Sequence, residues 1–160
     1  MRQPNQISIA WYVLLDYIMA ALAWSAFYFT RKIILNQTIA DAGQLQVNNM
    51  YWLGVVFIPA GWIMLYALVG SYHSLYRKSR LSEFTLTFIC TLVGCTFLFF
   101  AFILDDVKDN YSYYYLAFAC LFLIHLVFIF TGRVILLNRV KHQLLSGKVF
   151  FNTLMIGGKA

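Results

Sequence analysis

Asp16 is the first residue of this chain whose position asks for chemistry. It lies near the middle of the apolar stretch Ile7–Phe29, where an ionised carboxylate is costly and needs a partner or a task. One task is ion coupling, as in small four-helix proton-coupled transporters. The other is a hydrogen bond inside a helix bundle that fixes helix register. Ala20 and Ala23 follow at i+4 and i+7 and share with Asp16 a small-residue face suited to helix packing. Nothing else in the chain resembles a transport path, so the register role is the expected one. His125, inside the last apolar stretch, reads as a packed or hydrogen-bonded intramembrane residue. His73 and His142 fall in basic segments, and no metal-ligand spacing links the three. Cys90, Cys95 and Cys120 lie within apolar stretches and read as small packing residues. Asp105-Asp106-Val107-Lys108-Asp109 spells a pattern that can hold Mg²⁺ against a diphosphate, but as a short link between spans it reads as a solvated turn. No catalytic residue and no metal site are therefore expected in this chain.

A second group of candidates is cationic. Arg77, Lys78 and Arg80 crowd one short link, and Arg133, Arg139 and Lys141 lie in or beside the segment 132–148. Each such side chain near an anionic bilayer surface contributes about 1 kcal/mol, so all six are expected to touch lipid phosphates or the membrane surface.

The elements that must position these residues follow from composition. The chain has 160 residues, of which 62% are hydrophobic and 11% charged, against roughly 25% charged in soluble domains. Lipid can cover that much apolar surface directly. Four spans are expected, at about 7–29, 51–72, 84–104 and 111–131, each near the 20 residues that cross a hydrocarbon core of about 30 Å. The first is too long for a cleaved secretory signal and reads as a retained anchor. Pro59 and Gly61 interrupt span two, and the proline predicts a kink. Trp11, Tyr12, Tyr28, Tyr51, Trp52, Tyr72 and Tyr111 lie near span ends, as interfacial aromatics do.

Of the 12 basic residues, nine fall on the side that holds both termini. Positive-inside bias thus predicts cytoplasmic N- and C-termini. The same bias accounts for the net charge of +6 without nucleic acid. Beyond the spans, 132–148 is amphipathic as a helix, with Leu136, Leu137, Val140 and Leu144 on one side and Arg139, His142, Gln143 and Ser146 on another. It either lies on the membrane surface or extends span four. Val149–Ile156 followed by Gly157-Gly158 reads as a buried parallel strand with a phosphate-approach loop. The expected class is all-α integral membrane: a four-helix transmembrane domain (1–131), a basic amphipathic connector (132–148) and the start of a truncated Rossmann-like domain (149–160).

The order of these parts resembles one family. Gly70-Ser71-Tyr72-His73-Ser74-Leu75-Tyr76-Arg77-Lys78-Ser79-Arg80-Leu81-Ser82-Glu83, Thr131-Gly132-Arg133 and Lys148-Val149-Phe150-Phe151-Asn152-Thr153-Leu154-Met155-Ile156-Gly157-Gly158 resemble the N-terminal region of bacterial polyprenyl glycosylphosphotransferases, in a Bacteroidota-like form. The resemblance implies a multi-pass inner-membrane anchor and a parent enzyme that moves a sugar 1-phosphate from a nucleotide sugar to undecaprenyl phosphate. That reaction starts exopolysaccharide, capsule or O-antigen synthesis. The resemblance also implies Rossmann-like and catalytic domains to follow, the latter with Mg²⁺ and an Asp-Glu pair. Glu83 is the only glutamate here and has no aspartate beside it, so no catalytic residue carries over and the chain alone is expected to be inactive. The implied partners are the bilayer, the missing domains, the lipid carrier undecaprenyl phosphate and a second copy of the chain. The rival readings are a proton-coupled transporter using Asp16 and a membrane accessory protein that docks a soluble partner.

Overall fold

The computed structural model describes residues 8–35, 40–41, 44–45, 47–72, 79–103 and 111–146. Helix α1 spans Ile9–Ile34, with the Ser8 hydroxyl accepting from the Ala10 amide at 3.3 Å as its N-cap. Arg31 and Lys32 occupy its last turn, where the helix end carries partial negative charge. A two-residue antiparallel pairing follows, β1 (Ala40–Asp41) on β2 (Gln44–Leu45). Helix α2 spans Asn49–Leu68, α3 spans Arg80–Leu98 and continues as a π-turn over Phe99–Ile103, and α4 spans Ser112–Leu145.

These four helices are long and apolar enough to cross a membrane, and their outward faces carry exposed residues such as Phe57, Leu92, Phe97 and Val127. The chain is a multi-pass membrane protein. Helix α1 packs on α4 and α2, and α3 packs on α4 and more lightly on α2. Contacts join the start of α1 and α3 to the end of α2 and the C-terminal half of α4, so the helices alternate in direction.

The span limits differ from the sequence-based ones where local capping decides them. Helix α2 stops at Leu68, not near Tyr72. Gly70 adopts φ 74°, and the amides of Gly70 and Ser71 donate to the carbonyls of Ala67 and Tyr66 at 3.0 and 2.8 Å. This paired closure with glycine in the left-handed region is the Schellman arrangement; it turns Tyr72 back toward α1. Helix α3 begins earlier than expected because the Ser79 hydroxyl caps it, accepting from the Ser82 amide at 3.1 Å. That brings Glu83 inside the helix.

Of the two courses open to the connector, it takes the second: it is continuous with span four, and one helix, α4, of 34 residues runs to Leu145. At 1.5 Å per residue it is about 51 Å long, well beyond the hydrocarbon thickness. The proposed strand and glycines of 149–160 lie outside the described residues, as does the acidic run 105–109.

Two glycines set how closely the helices approach. A Cβ on Gly54 of α2 would stand 2.3 Å from the Trp24 indole of α1, and one on Gly94 of α3 would stand 2.2 Å from the Trp62 ring of α2. Small residues at such crossings replace the hydrophobic drive that lipid does not supply between helices. Pro59 is buried within α2, where its missing N–H removes one helical hydrogen bond.

Candidate functional site

The most polar region of the bundle is also among its most buried. Arg133, on α4, has no exposed surface, and Asp16 and Glu83 are 2% and 1% exposed. Asp16 comes from the second turn of α1, Glu83 from the first turn of α3. Helical periodicity puts Tyr12 one turn before Asp16 and Thr87 one turn after Glu83, so each carboxylate has a hydroxyl neighbour on its own face.

Arg133 joins them. Its Nε and Nη2 donate to the two oxygens of Asp16 at 3.3 and 2.8 Å, a side-on bidentate pair. Its Nη1 donates to Glu83 Oε1 and to Thr87 Oγ1, each at 2.9 Å. Four of the five guanidinium N–H groups are thus engaged in fork geometry, as the group requires. The Tyr66 ring of α2 lies against the guanidinium, 4.0 Å from its carbon to the ring centroid, and the Tyr12 ring lies at 5.4 Å; both are cation–π contacts.

The carboxylates have further donors. The Tyr12 hydroxyl donates to Glu83 Oε1, and the Tyr72 hydroxyl donates to Asp16 Oδ2 at 3.2 Å. Burial first, and then the Asp16 carboxylate, push the Tyr72 phenol upward from its usual range, which keeps it a donor. The Thr87 hydroxyl itself donates to the Glu83 backbone carbonyl at 2.7 Å. The rings of Tyr12 and Tyr72 meet edge to face at 5.5 Å. Every helix contributes: Tyr12 and Asp16 from α1, Tyr66 from α2 with Tyr72 just beyond it, Glu83 and Thr87 from α3, Arg133 from α4. Tyr72→Phe removes one neutral donor from Asp16. It is expected to lower stability by about 0.6 kcal/mol, the mean for an intramembrane hydrogen bond, measurable as a small fall in detergent unfolding midpoint.

Arg133 therefore does not occupy the membrane surface where the sequence places it. The physical reason is that its charge is compensated inside the bundle by two carboxylates that read separately as isolated features. Tyr12 and Tyr72, expected as interfacial aromatics, are also members of the cluster. Of the other cations, Arg80, Arg139 and Lys141 are exposed, with Arg80 Nη2 donating to Asn138 Oδ1 at 2.7 Å. Arg77 and Lys78 lie outside the described residues. His125 is buried and stacked on Trp62, with ring centroids 3.7 Å apart. Among the described residues no cluster of metal-ligating side chains occurs, and Cys90, Cys95 and Cys120 are free thiols.

Glu83 was missed as a site residue because it reads as the end of a polar link. Two signals point to it. The run Ile124–Leu137 is apolar on both sides of Arg133, so that arginine needs an intramembrane acid. Glu83 and Thr87 stand at i and i+4, leading directly into an apolar stretch. Comparison with protein-family models, with curated proteins and with solved structures finds no match.

Proposed function

We propose that this chain is the membrane-anchoring domain of a polyprenyl glycosylphosphotransferase, seated in the bacterial inner membrane with both termini in the cytoplasm. The observation that carries the reading is α4. It is held at Arg133 by ion pairs to α1 and α3 and continues unbroken for twelve further residues, about 18 Å at helical rise. A rigid arm of that kind suits a domain whose task is to hold a soluble catalytic unit at a fixed height over the bilayer. The exposed Arg80, Arg139 and Lys141 share the end of the bundle from which α4 emerges, in keeping with positive-inside bias. The sequence resemblance in the two links and the tail supplies the enzyme class, and with it undecaprenyl phosphate as acceptor and Mg²⁺ for the catalytic domain.

The transporter reading has less support. A coupling carboxylate must exchange protons with water, whereas both oxygens of Asp16 are engaged by Arg133 and Tyr72.

The test is enzymatic. Membranes from cells carrying the intact gene, incubated with labelled nucleotide sugar and undecaprenyl phosphate, are expected to form a lipid-linked sugar diphosphate that is lost on gene disruption. Unchanged product after disruption, together with a resistance phenotype abolished by Asp16→Asn, would overturn the anchor reading in favour of transport.

A further inference from the structure

A groove of about 820 Å³ runs between the first turns of α1 and the last turns of α4. Its chemistry changes along its length. One end is walled by Leu14 and Ile18 of α1 and Ile135 of α4, and the other by Asn138, Arg139 and His142 of α4. Trp11 lines it as well, 63% exposed. Trp11 lies five residues from Asp16 and Arg139 six residues from Arg133, so at helical rise they are about 7.5 and 9 Å nearer the membrane surface than the buried ion pair. Indole at that depth marks the headgroup boundary. The apolar end of the groove thus sits at acyl-chain depth and the cationic end at phosphate depth.

Among the described residues, no carboxylate pairs with Arg139. Arg80 of α3 is bonded through one N–H to Asn138 and does not line the groove, so Arg139 is its arginine. This contrasts with Arg133, whose charge is fully met inside the bundle.

We propose that this groove is a binding site for an anionic phospholipid, with the headgroup phosphate against Arg139 and His142 and one acyl chain along Leu14, Ile18 and Ile135. The charge of the polar end selects an anionic head over a zwitterionic one, and the length of the apolar end requires a chain. The site belongs to the leaflet into which α4 emerges and is independent of what α4 carries.

The experiment is native mass spectrometry of the chain released from mixed micelles containing equal phosphatidylglycerol and phosphatidylcholine. Retention of phosphatidylglycerol is expected to exceed that of phosphatidylcholine about fivefold, the discrimination one arginine supplies near an anionic surface. Arg139→Gln is expected to bring the two to parity. Ile18→Trp, which fills the apolar end, is expected to reduce retention of both while leaving the unfolding midpoint in place. Equal retention of the two lipids by the unchanged chain would overturn the proposal. So would displacement of phosphatidylglycerol by inorganic phosphate alone, which would make the site one for a free anion.

Discussion

Arg133→Leu is expected to destabilise the bundle by about 3–5 kcal/mol, the cost of leaving a buried charge without its partner. Two carboxylates share this one cation. Removing it strands Asp16 and Glu83 at 2% and 1% exposure, and the hydroxyls of Tyr12 and Tyr72 donate only neutral hydrogen bonds in compensation. Arg133→Lys is expected to recover little. A lysine offers three donors at one point, whereas the native group forks onto two carboxylates and sits over the Tyr66 ring. Adding Asp16→Asn and Glu83→Gln to Arg133→Leu is expected to restore much of the loss, because the uncompensated charge then disappears. Equilibrium unfolding in micelles measures all three. A loss under about 1 kcal/mol in Arg133→Leu, the range of an exposed pair, would show that the cluster is not the lock that holds α4.

Gly94→Val is the second large effect, expected to cost about 1–3 kcal/mol as an overpacking substitution. The new Cβ would stand 2.2 Å from the Trp62 ring. Trp62 cannot simply retreat, because His125 stacks on it with centroids 3.7 Å apart. Helices α2, α3 and α4 meet at this point, so a displaced indole loosens all three contacts. Gly61→Val is the control, since nothing lies within 4 Å of a Cβ there. The same measurement, with Trp fluorescence as a second readout, separates the two positions. Equal behaviour of Gly94→Val and Gly61→Val would remove the close packing of Trp62 as an explanation for the glycine.

How much was legible in the residues depends on whether a property is local. The apolar stretches, and hence the four membrane-spanning helices, are local sums of side-chain hydropathy and were read from composition and length. The burial demand of Asp16 was also legible, because a carboxylate within a long apolar run must find a partner wherever that run packs. The end of α2 is not legible in hydropathy, although Gly70 is in the sequence; its left-handed turn goes with hydrogen bonds to Ala67 and Tyr66 that a hydropathy reading does not weigh. For the connector, the residues allow two courses, lying on the surface and extending span four. Only the continuous helix distinguishes them, because an amphipathic pattern fits both.

The sequence by itself determined the solvent of this protein and the four helices, among the described residues, that are long and apolar enough to cross it. It also set the rule that any charge inside them must be compensated. The tertiary structure alone decided which charges compensate one another. Asp16 and Arg133 are 117 positions apart, and Glu83 and Arg133 are 50 apart; their meeting depends on the relative depth and rotation of three separate helices. Depth and rotation are set by packing at contacts such as Gly54 on Trp24 and Gly94 on Trp62, and no one-dimensional pattern of hydropathy or charge encodes them.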